Sequence, residues 1–237
     1  MLYLLPNLLD ESLDHTQFFS KSVDEAVYHL EGLIAEDEKN ARKFLKRFSY
    51  SRERTFRDIP IKLLNEHSKK EDVDALVAIL KEGKPWGLIS DCGLPCIADP
   101  GAFLVLLAKK AHIPVATLPG PSSIVMALQL SGLYSQQFTF SGYLPKDEPA
   151  LLTALKEMEK EIVSKGHVFV FIEAPYRNEK LLDQIRKTVK DQLLLCVACD
   201  LTGSTEEVMT LPISRWKQEN LERFHKRQVV YVLGKAR

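Results

Sequence analysis

The sequence predicts an α/β fold, because short apolar runs alternate with amphipathic segments along most of its 237 residues. Eight runs have the length and composition of buried strands: 2–5, 32–35, 86–90, 115–118, 138–140, 168–172, 193–198 and 229–233. Five segments carry apolar residues at helical spacing: 72–81, 103–111, 124–130, 151–162 and 181–189. The alternation of the two kinds of element is typical of α/β architecture.

The pattern changes near residue 118, which predicts two α/β domains, residues 1–118 and 119–237. Before this point strands and helices alternate, whereas beyond it the strands follow one another more closely. Ligand pockets favour domain interfaces. A cleft between the two domains would therefore suit a small-molecule cofactor.

The composition limits the class of protein. The 32 basic and 32 acidic side chains balance to a net charge of 0, so the chain has no global attraction for nucleic acid or an anionic membrane. Any RNA contact would need a local patch. No uncharged apolar stretch approaches the ~20 residues that cross a bilayer, and no leader pattern opens the chain. We expect a cytoplasmic protein that is not associated with membranes.

The four cysteines are spaced as two pairs, which superficially suggests a zinc site. However, Cys196 and Cys199 fall within a predicted strand, where residues three apart point to opposite faces. Zinc knuckles also have Gly-rich turns around their thiolates, and such turns are absent here. We predict four core cysteines and no metal.

The most informative segment is residues 90–101, Ser-Asp-Cys-Gly-Leu-Pro-Cys-Ile-Ala-Asp-Pro-Gly, between a predicted strand and a predicted helix. Two glycines and two prolines hold this loop in a fixed shape. Asp91 stands where the strand ends, the position at which open α/β sheets present ligand-binding groups. Asp99 precedes Pro100 in the pattern of a helix start, so we predict that Asp99 is an N-cap.

A second loop, residues 118–123, has the sequence Leu-Pro-Gly-Pro-Ser-Ser and again joins a strand to a helix. Gly120 is free to take a positive φ, and Pro121 is suited to open the helix. Backbone N–H groups at such a helix start can bind a carboxylate or another polar group. Neither loop is a Gly-x-Gly-x-x-Gly, Gly-x-Ser-x-Gly or Walker motif, so dinucleotide-binding, hydrolase and nucleoside triphosphatase functions are disfavoured.

Together, the two loops resemble the paired signature of the tetrapyrrole-methylase family. Residues 35–43, 141–145 and 171–177 resemble, in order and spacing, the branch of that family that methylates a ribose hydroxyl of small-subunit ribosomal RNA. One departure is the loop after the first strand, where the family usually carries Gly-Asn-Leu and this chain has Pro6-Asn7-Leu8.

This resemblance implies two α/β domains, usually in a homodimer, with the methyl donor S-adenosylmethionine in the cleft between them and no metal. Ribosomal RNA or the small ribosomal subunit would be the partner. The residues carried over by motif as donor-binding are Asp91, Gly93, Leu94 and Pro95 from the first domain and Pro121, Ser122, Ile172 and Ala174 from the second.

Methylation of a ribose hydroxyl removes a proton, so a nearby base would help, whereas an electron-rich tetrapyrrole carbon needs little activation. The catalytic candidates are Glu36 and Asp37, at the end of a predicted strand, and His67, in a polar segment that resembles the RNA-modifying branch. A solvated turn is the alternative interpretation of each.

A concentration of basic residues lies between positions 42 and 57, interleaved with aromatic residues. It could hold phosphates and stack a base, or it could be a solvated helix face followed by a polar loop. The basic residues are Arg42, Lys43, Lys46, Arg47, Arg52, Arg54 and Arg57, and the aromatic residues are Phe44, Phe48, Tyr50 and Phe56.

Three functions follow as hypotheses. The leading one is a methyltransferase that acts on a ribose 2'-hydroxyl of small-subunit ribosomal RNA. The alternatives are C-methylation of a tetrapyrrole and a non-catalytic sensor that binds S-adenosylmethionine.

Overall fold

A computed structural model describes residues 1–236. The chain forms two compact units, the first comprising Met1–Ser122 and the second beginning at Ser123. Each unit contains a five-stranded sheet and helices. The predicted α/β fold class is therefore confirmed.

The sheet of the first unit has the strand order β3-β2-β4-β1-β5, and all of its strand pairs are parallel. Its strands are β1 (Leu2–Leu4), β2 (Gly32–Ala35), β3 (Ile61–Leu63), β4 (Trp86–Leu88) and β5 (Val115–Thr117). Its helices are α1 (Lys21–Tyr28), α2 (Glu38–Leu45), α3 (Lys70–Leu80) and α4 (Ala102–Lys110). Because the strands are parallel, their carboxyl ends all lie at one edge of the sheet.

Helices cover both faces of this sheet. Leu33 packs in a cluster with buried residues of α1 and α2, whereas its neighbour Ile34 packs in a separate cluster with residues of α3 and α4. Successive strand residues point to opposite faces. All four residues of β2 are consequently buried, which fixes the position of the residues that follow this strand.

The sheet of the second unit has the order β6-β7-β10-β8-β9, in which only β6 and β7 pair in parallel. Its strands are β6 (Phe138–Tyr143), β7 (Val168–Ile172), β8 (Leu194–Cys199), β9 (Glu207–Pro212) and β10 (Val229–Gly234). Its helices are α5 (Ser123–Leu130), α6 (Glu148–Lys165), α7 (Asn178–Thr188) and α8 (Ile213–Trp216). The main core lies between the sheet and α6 and α7.

Several elements were not predicted, and their composition explains why. Strand β3 has three residues and two of them are exposed, while every residue of β9 is only half-buried. Helix α2 has the polar sequence Glu-Lys-Asn-Ala-Arg-Lys-Phe-Leu, with three buried residues. Such elements lack the apolar pattern that identifies a buried strand or helix.

Two local predictions are wrong. Helix α4 begins at Ala102 with Gly101 as its N-cap, so Asp99 does not cap it. Cys196 and Cys199 are buried as predicted, but Cys92 is exposed and Cys96 is half-buried. Both errors concern the loop of residues 90–101, whose fold is set by contacts with distant segments.

Within residues 1–236, no helix combines the length and apolar character needed to cross a bilayer.

Candidate active site

The carboxyl edge of the first sheet has the topology of a ligand-binding crevice. Strands β1 and β4 are neighbours in the sheet. After β1 the chain continues to β2, which lies on the far side of β4. After β4 the chain continues to β5, which lies on the far side of β1. Open α/β sheets bind ligands where the connections diverge in this way. The loops that follow β1 and β4 meet at this point.

Asn7 joins these two loops. Its backbone N–H donates to the carbonyl of Gly93 at 2.7 Å, and the Gly93 N–H donates back to the Asn7 carbonyl at 3.2 Å. Its side-chain amide donates to the carbonyls of Ser90 and Asp91 at 3.0 and 2.9 Å. The loop after β4 is thus held at its start by a residue 83 positions away in sequence.

The loop of residues 90–101 has an unusual backbone. Gly93 and Gly101 have φ values of 70° and 122°, and two non-glycine residues, Cys96 and Ala98, also have positive φ values of 71° and 66°. Positive φ in non-glycine residues costs free energy and clusters at functional sites. Of the predicted donor-binding residues here, Asp91 is exposed, Leu94 is half-buried, and Gly93 and Pro95 are buried.

Glu36 directly follows β2 and is half-buried at the same edge. Burial, followed by the negative charges of Asp99 and Asp91, raises the pKa of Glu36 to about 7. The sequence interpretation identified Glu36 by its strand-end position, and the structure adds the acidic neighbours that change its proton affinity.

Asp99 contributes to this acidic group. Burial raises the pKa of its carboxyl group above the ordinary value, an effect opposed by a hydrogen bond with the Ser90 side chain and reinforced by Asp91. Asp99 does not cap α4, because that helix begins at Ala102 and Gly101 is its N-cap. The first unit therefore gathers three carboxylates, and the negative charges of Asp99 and Asp91 contribute to the raised pKa of Glu36.

The other two catalytic candidates have different surroundings. Asp37 is exposed, and its carboxylate accepts the backbone N–H of Asn40 at 2.8 Å as the N-cap of α2. The side chain of His67 is 85% exposed, with Nε2 at 3.5 Å from Oε1 of Glu66. The loop that contains His67 contacts Glu36 through Asn65, whose side-chain amide donates to the Glu36 backbone carbonyl at 3.3 Å.

The loop after β5 packs against the loop after β1. A Cβ atom added at Gly120 would lie 2.1 Å from Cβ of Pro6. Gly120 is not among the residues with positive φ, so glycine is required by close approach and not by the backbone angle that we predicted. Pro121 is buried and Ser122 is half-buried, and α5 begins at the following residue, Ser123.

In the second unit, Ile172 ends β7 and Ala174 is the N-cap of a short 3-10 helix, Pro175–Arg177. Between them, Glu173 has a side chain that is only 2% exposed. One carboxylate oxygen accepts the Ala174 N–H at 2.7 Å, and the other lies 3.2 Å from a guanidinium nitrogen of Arg177. This ion pair fixes the loop that holds Ala174, a role the sequence interpretation missed.

Most of the basic residues between positions 42 and 57 form hydrogen bonds or ion pairs within the protein. The guanidinium of Arg42 donates to the carbonyls of Phe56 and Ile59 at 2.9 and 2.8 Å, and Arg54 donates to the Leu30 carbonyl. Leu30 and Ile59 lie before β2 and β3, whereas Glu36 follows β2. These two guanidiniums therefore bind at the amino ends of the strands, opposite Glu36.

The aromatic residues of this segment are largely internal. Phe44 and Phe48 are 1% and 8% exposed and pack in one apolar cluster, so these two rings are not available for the base stacking that was one of the two interpretations left open by the sequence. Tyr50 is half-buried, and its hydroxyl donates to the Leu45 carbonyl at 2.8 Å. Lys46, Arg52 and Arg57 are exposed, and phosphate binding stays a prediction for them.

Comparison with known families matches residues 25–216 to the Tetrapyrrole (Corrin/Porphyrin) Methylases. The chain belongs to this family. The match covers both units, and it confirms the resemblance drawn from the paired loops. The chain is accordingly a methyltransferase of the tetrapyrrole-methylase fold.

Similar curated methylases include two proteins named Ribosomal RNA small subunit methyltransferase I. The one from Vibrio cholerae serotype O1 is 30% identical over 237 residues, which cover 99% of this chain and 77% of that protein. The one from Xylella fastidiosa is 31% identical over 206 residues, which cover 86% of this chain and 71% of that protein.

Solved structures share the tetrapyrrole-methylase fold at lower identity. A diphthine synthase has a TM-score of 0.68 and 15% identity, covering 99% of this chain and 89% of that one. A uroporphyrin-III C-methyl transferase from Thermus thermophilus, complexed with S-adenyl homocysteine, has a TM-score of 0.56 and 12% identity, covering 98% and 96% of the two chains. These likenesses establish the fold.

Proposed function

We propose that this protein transfers a methyl group from S-adenosylmethionine to a ribose 2'-hydroxyl of small-subunit ribosomal RNA, with Glu36 as the proton acceptor. The observation that carries the proposal is the position of Glu36, which is half-buried and directly follows β2 at the carboxyl edge of a parallel sheet; burial and the charges of Asp99 and Asp91 raise its pKa there. The names of the relatives, Ribosomal RNA small subunit methyltransferase I, support the choice of acceptor.

The residues of the first unit fit the donor chemically. S-adenosylmethionine carries an ammonium, a carboxylate, ribose hydroxyls and a positively charged sulfur. Asp91 is exposed and can accept hydrogen bonds from an ammonium or a hydroxyl group. The three carboxylates favour a cationic ligand, and the positive-φ backbone at Gly93 opens a close approach to the loop.

We assign donor binding to Asp91, Gly93, Leu94, Pro95, Pro121 and Ser122 in the first unit, and to Ile172 and Ala174 in the second. When bound, the donor supplies an electrophilic methyl group on a cationic sulfur. Asp91 holds polar groups of the donor, while buried Pro95 and Pro121 shape the loops and limit water. The Glu173–Arg177 ion pair keeps the backbone at Ala174 in place.

Glu36 takes the proton of the acceptor hydroxyl. A general base works best when its pKa lies near the operating pH, and a pKa of about 7 meets this condition. Its neighbour Asp99 also has a raised pKa, so the acidic group can hold a proton within the site. An electron-rich tetrapyrrole carbon would not require this arrangement, which favours a hydroxyl acceptor.

The test is methyl transfer from labelled S-adenosylmethionine to small ribosomal subunits purified from a strain that lacks the protein. Bulk RNA and uroporphyrinogen serve as parallel acceptors. The proposal predicts label in a 2'-O-methylated nucleoside after digestion of the ribosomal RNA. Label only in the tetrapyrrole would instead establish C-methylation, and donor binding without transfer to any acceptor would favour a sensor.

A homodimer, which the family resemblance implies, is part of this proposal, and sedimentation analysis of the purified protein tests it. A ribosomal acceptor would place the reaction in the cytoplasm.

A further inference from the structure

Tyr176 is an aromatic residue that lies open to solvent in the second unit. It is 66% exposed, more than any other large apolar residue within residues 1–236. It occupies the middle of the short 3-10 helix Pro175–Arg177, between Ala174 and α7. A single exposed apolar side chain is common on protein surfaces. What distinguishes Tyr176 is how firmly the fold holds the turn that carries it.

Buried groups on either side of Tyr176 fix the backbone of this turn. The Glu173 carboxylate accepts the Ala174 N–H at 2.7 Å and lies 3.2 Å from a guanidinium nitrogen of Arg177. The Arg177 N–H in turn donates to the Ala174 carbonyl at 2.8 Å. The residues before and after Tyr176 are therefore tied to each other.

Asn178, two residues after Tyr176, anchors the same turn to a distant segment. Its side chain is fully buried. The amide donates to the carbonyls of Phe224 and Arg227 at 2.9 and 2.8 Å, and the side-chain oxygen accepts the Tyr231 hydroxyl at 2.9 Å. Buried polar networks whose members are all satisfied rigidify the structure around them. The turn is thus held from within the protein, while Tyr176 itself stays exposed.

Lys226 lies in the segment that Asn178 holds. Its backbone N–H donates to the Pro175 carbonyl at 3.1 Å, which ties it to the residue directly before Tyr176. Lys226 is exposed, and its positive φ of 56° is a conformation that costs free energy in a non-glycine residue. The fold therefore places an exposed aromatic residue and an exposed cation on adjoining backbone segments.

We propose that Tyr176 is a substrate-binding residue on which an unpaired base of the ribosomal RNA stacks, while Lys226 contacts a phosphate of the same strand. Proteins recognise unpaired RNA bases by stacking them on aromatic side chains, and lysine binds phosphate as a point charge. A tyrosine that is held in place before binding loses little conformational freedom when the base stacks. The rigid turn therefore serves binding as well as folding.

The position of Tyr176 suits an acceptor nucleotide. Ala174, which we assign to the donor, lies two residues earlier, so the two Cα atoms are at most about 7 Å apart. A base stacked on Tyr176 would thus lie beside the donor-binding loop of the second unit. The inference rests on the proposed function, which supplies RNA as the acceptor.

Two substitutions separate stacking from other contacts. Tyr176→Phe keeps the aromatic ring without the hydroxyl, whereas Tyr176→Leu keeps an apolar side chain without the ring. Both change an exposed position, where substitutions usually have little effect on stability. Tyr28→Leu is the matched control, because Tyr28 is also exposed, on α1 of the first unit.

The experiment measures the dissociation constant of the whole protein for small ribosomal subunits from a strain that lacks it. We expect Tyr176→Phe and Tyr28→Leu to bind like the wild type, and Tyr176→Leu to bind about tenfold more weakly, the size expected for one stacked base. Unaltered binding by Tyr176→Leu overturns the inference. Equal weakening by Tyr176→Phe also overturns it, because the hydroxyl and not the ring would then make the contact.

Lys226→Gln tests the phosphate contact. The logarithm of the affinity falls linearly with the logarithm of the salt concentration, with a slope of about 0.7 for each phosphate contacted on a single strand. The variant should reduce this slope by about 0.7, whereas Tyr176→Leu should leave the slope unchanged. An unchanged slope in Lys226→Gln overturns this contact.

Methyl transfer to the same subunits distinguishes this inference from the proposed function. A raised KM with an unchanged kcat in Tyr176→Leu supports both. Label transferred with the same KM by the wild type and Tyr176→Leu upholds the function and overturns the inference. Subunit binding that depends on the ring at position 176, without label in the RNA, upholds the stacking contact and contradicts the proposed function.

Discussion

Glu36 and Glu173 occupy equivalent positions in the two units but have opposite surroundings. Each directly follows a strand, and the Glu173 carboxylate also accepts the backbone N–H of Ala174 at 2.7 Å. Glu36 is surrounded by other carboxylates, whereas Glu173 lies 3.2 Å from Arg177. In both units the end of a strand positions the glutamate. The charges of the neighbouring residues then determine whether its carboxylate can take up a proton or forms a structural ion pair.

The largest expected effect is on catalysis. Glu36→Gln should lower methyl transfer to small ribosomal subunits by about 10² to 10⁴-fold, the usual contribution of a general base. Single-turnover assays with saturating donor measure the chemical step. Glu38→Gln is the matched control, because Glu38 lies in the first turn of the adjacent helix and pairs with Arg42 at 3.7 Å. Equal rates for the two variants would remove Glu36 from the mechanism.

The next effect is on stability in the second unit. Arg177→Met leaves the Glu173 carboxylate buried without its cation, and breaking a buried ion pair in this way costs about 3 kcal/mol. Urea denaturation measures the loss. Removing both charges, with Glu173→Gln in the same chain, should restore most of the stability. A single variant as stable as the wild type would show that the pair does not hold this loop.

The comparison also predicts a pH dependence of stability. The pKa of Glu36 is raised from 4.5 to about 7 in the folded protein, so the folded state binds this proton more tightly than the unfolded chain. The stabilisation is complete below pH 4.5 and is lost as the pH rises to about 7. Because glutamine is neutral at every pH, the Tm of Glu36→Gln should exceed that of the wild type by an amount that grows as the pH rises through this range. Glu38→Gln should show no such growing difference.

The smallest expected effect is on stability, and it distinguishes the role of Asp37 from that of Glu36. Asp37→Ala should cost about 1 kcal/mol by removing the N-cap of α2, whereas asparagine is an equally good cap and should cost little. Thermal unfolding of the two variants checks this difference. If Asp37→Asn unfolded normally yet lost methyl transfer, a catalytic role would return to Asp37.

Much of the fold could be predicted because its central strands are apolar and its ligand loops carry glycine and proline. The strand end that holds Glu36 follows directly from that pattern, whereas Asp91 lies in the loop after β4, which ends at Leu88. The pKa of Glu36 could not be predicted, because it depends on Asp99 and Asp91, which lie more than fifty positions away along the chain. The same is true of Asn7, whose partners are loop carbonyls in another part of the sequence.

The basic segment shows a second limit of sequence reasoning. A guanidinium donates to backbone carbonyls as readily as to phosphates, and composition does not distinguish the two partners. Arg42 and Arg54 use their donors within the protein. Exposure identifies Lys46, Arg52 and Arg57 as the residues to test for RNA binding.

The most direct test of the central claim is the pH dependence of kcat/KM for methyl transfer to small ribosomal subunits, since this quantity reports the essential groups of the free enzyme. We predict that the rate rises with pH, with a midpoint near the Glu36 pKa of about 7, and that Glu36→Gln abolishes this rise. A wild-type rate that is independent of pH across the neutral range would contradict the assignment of Glu36 as the base.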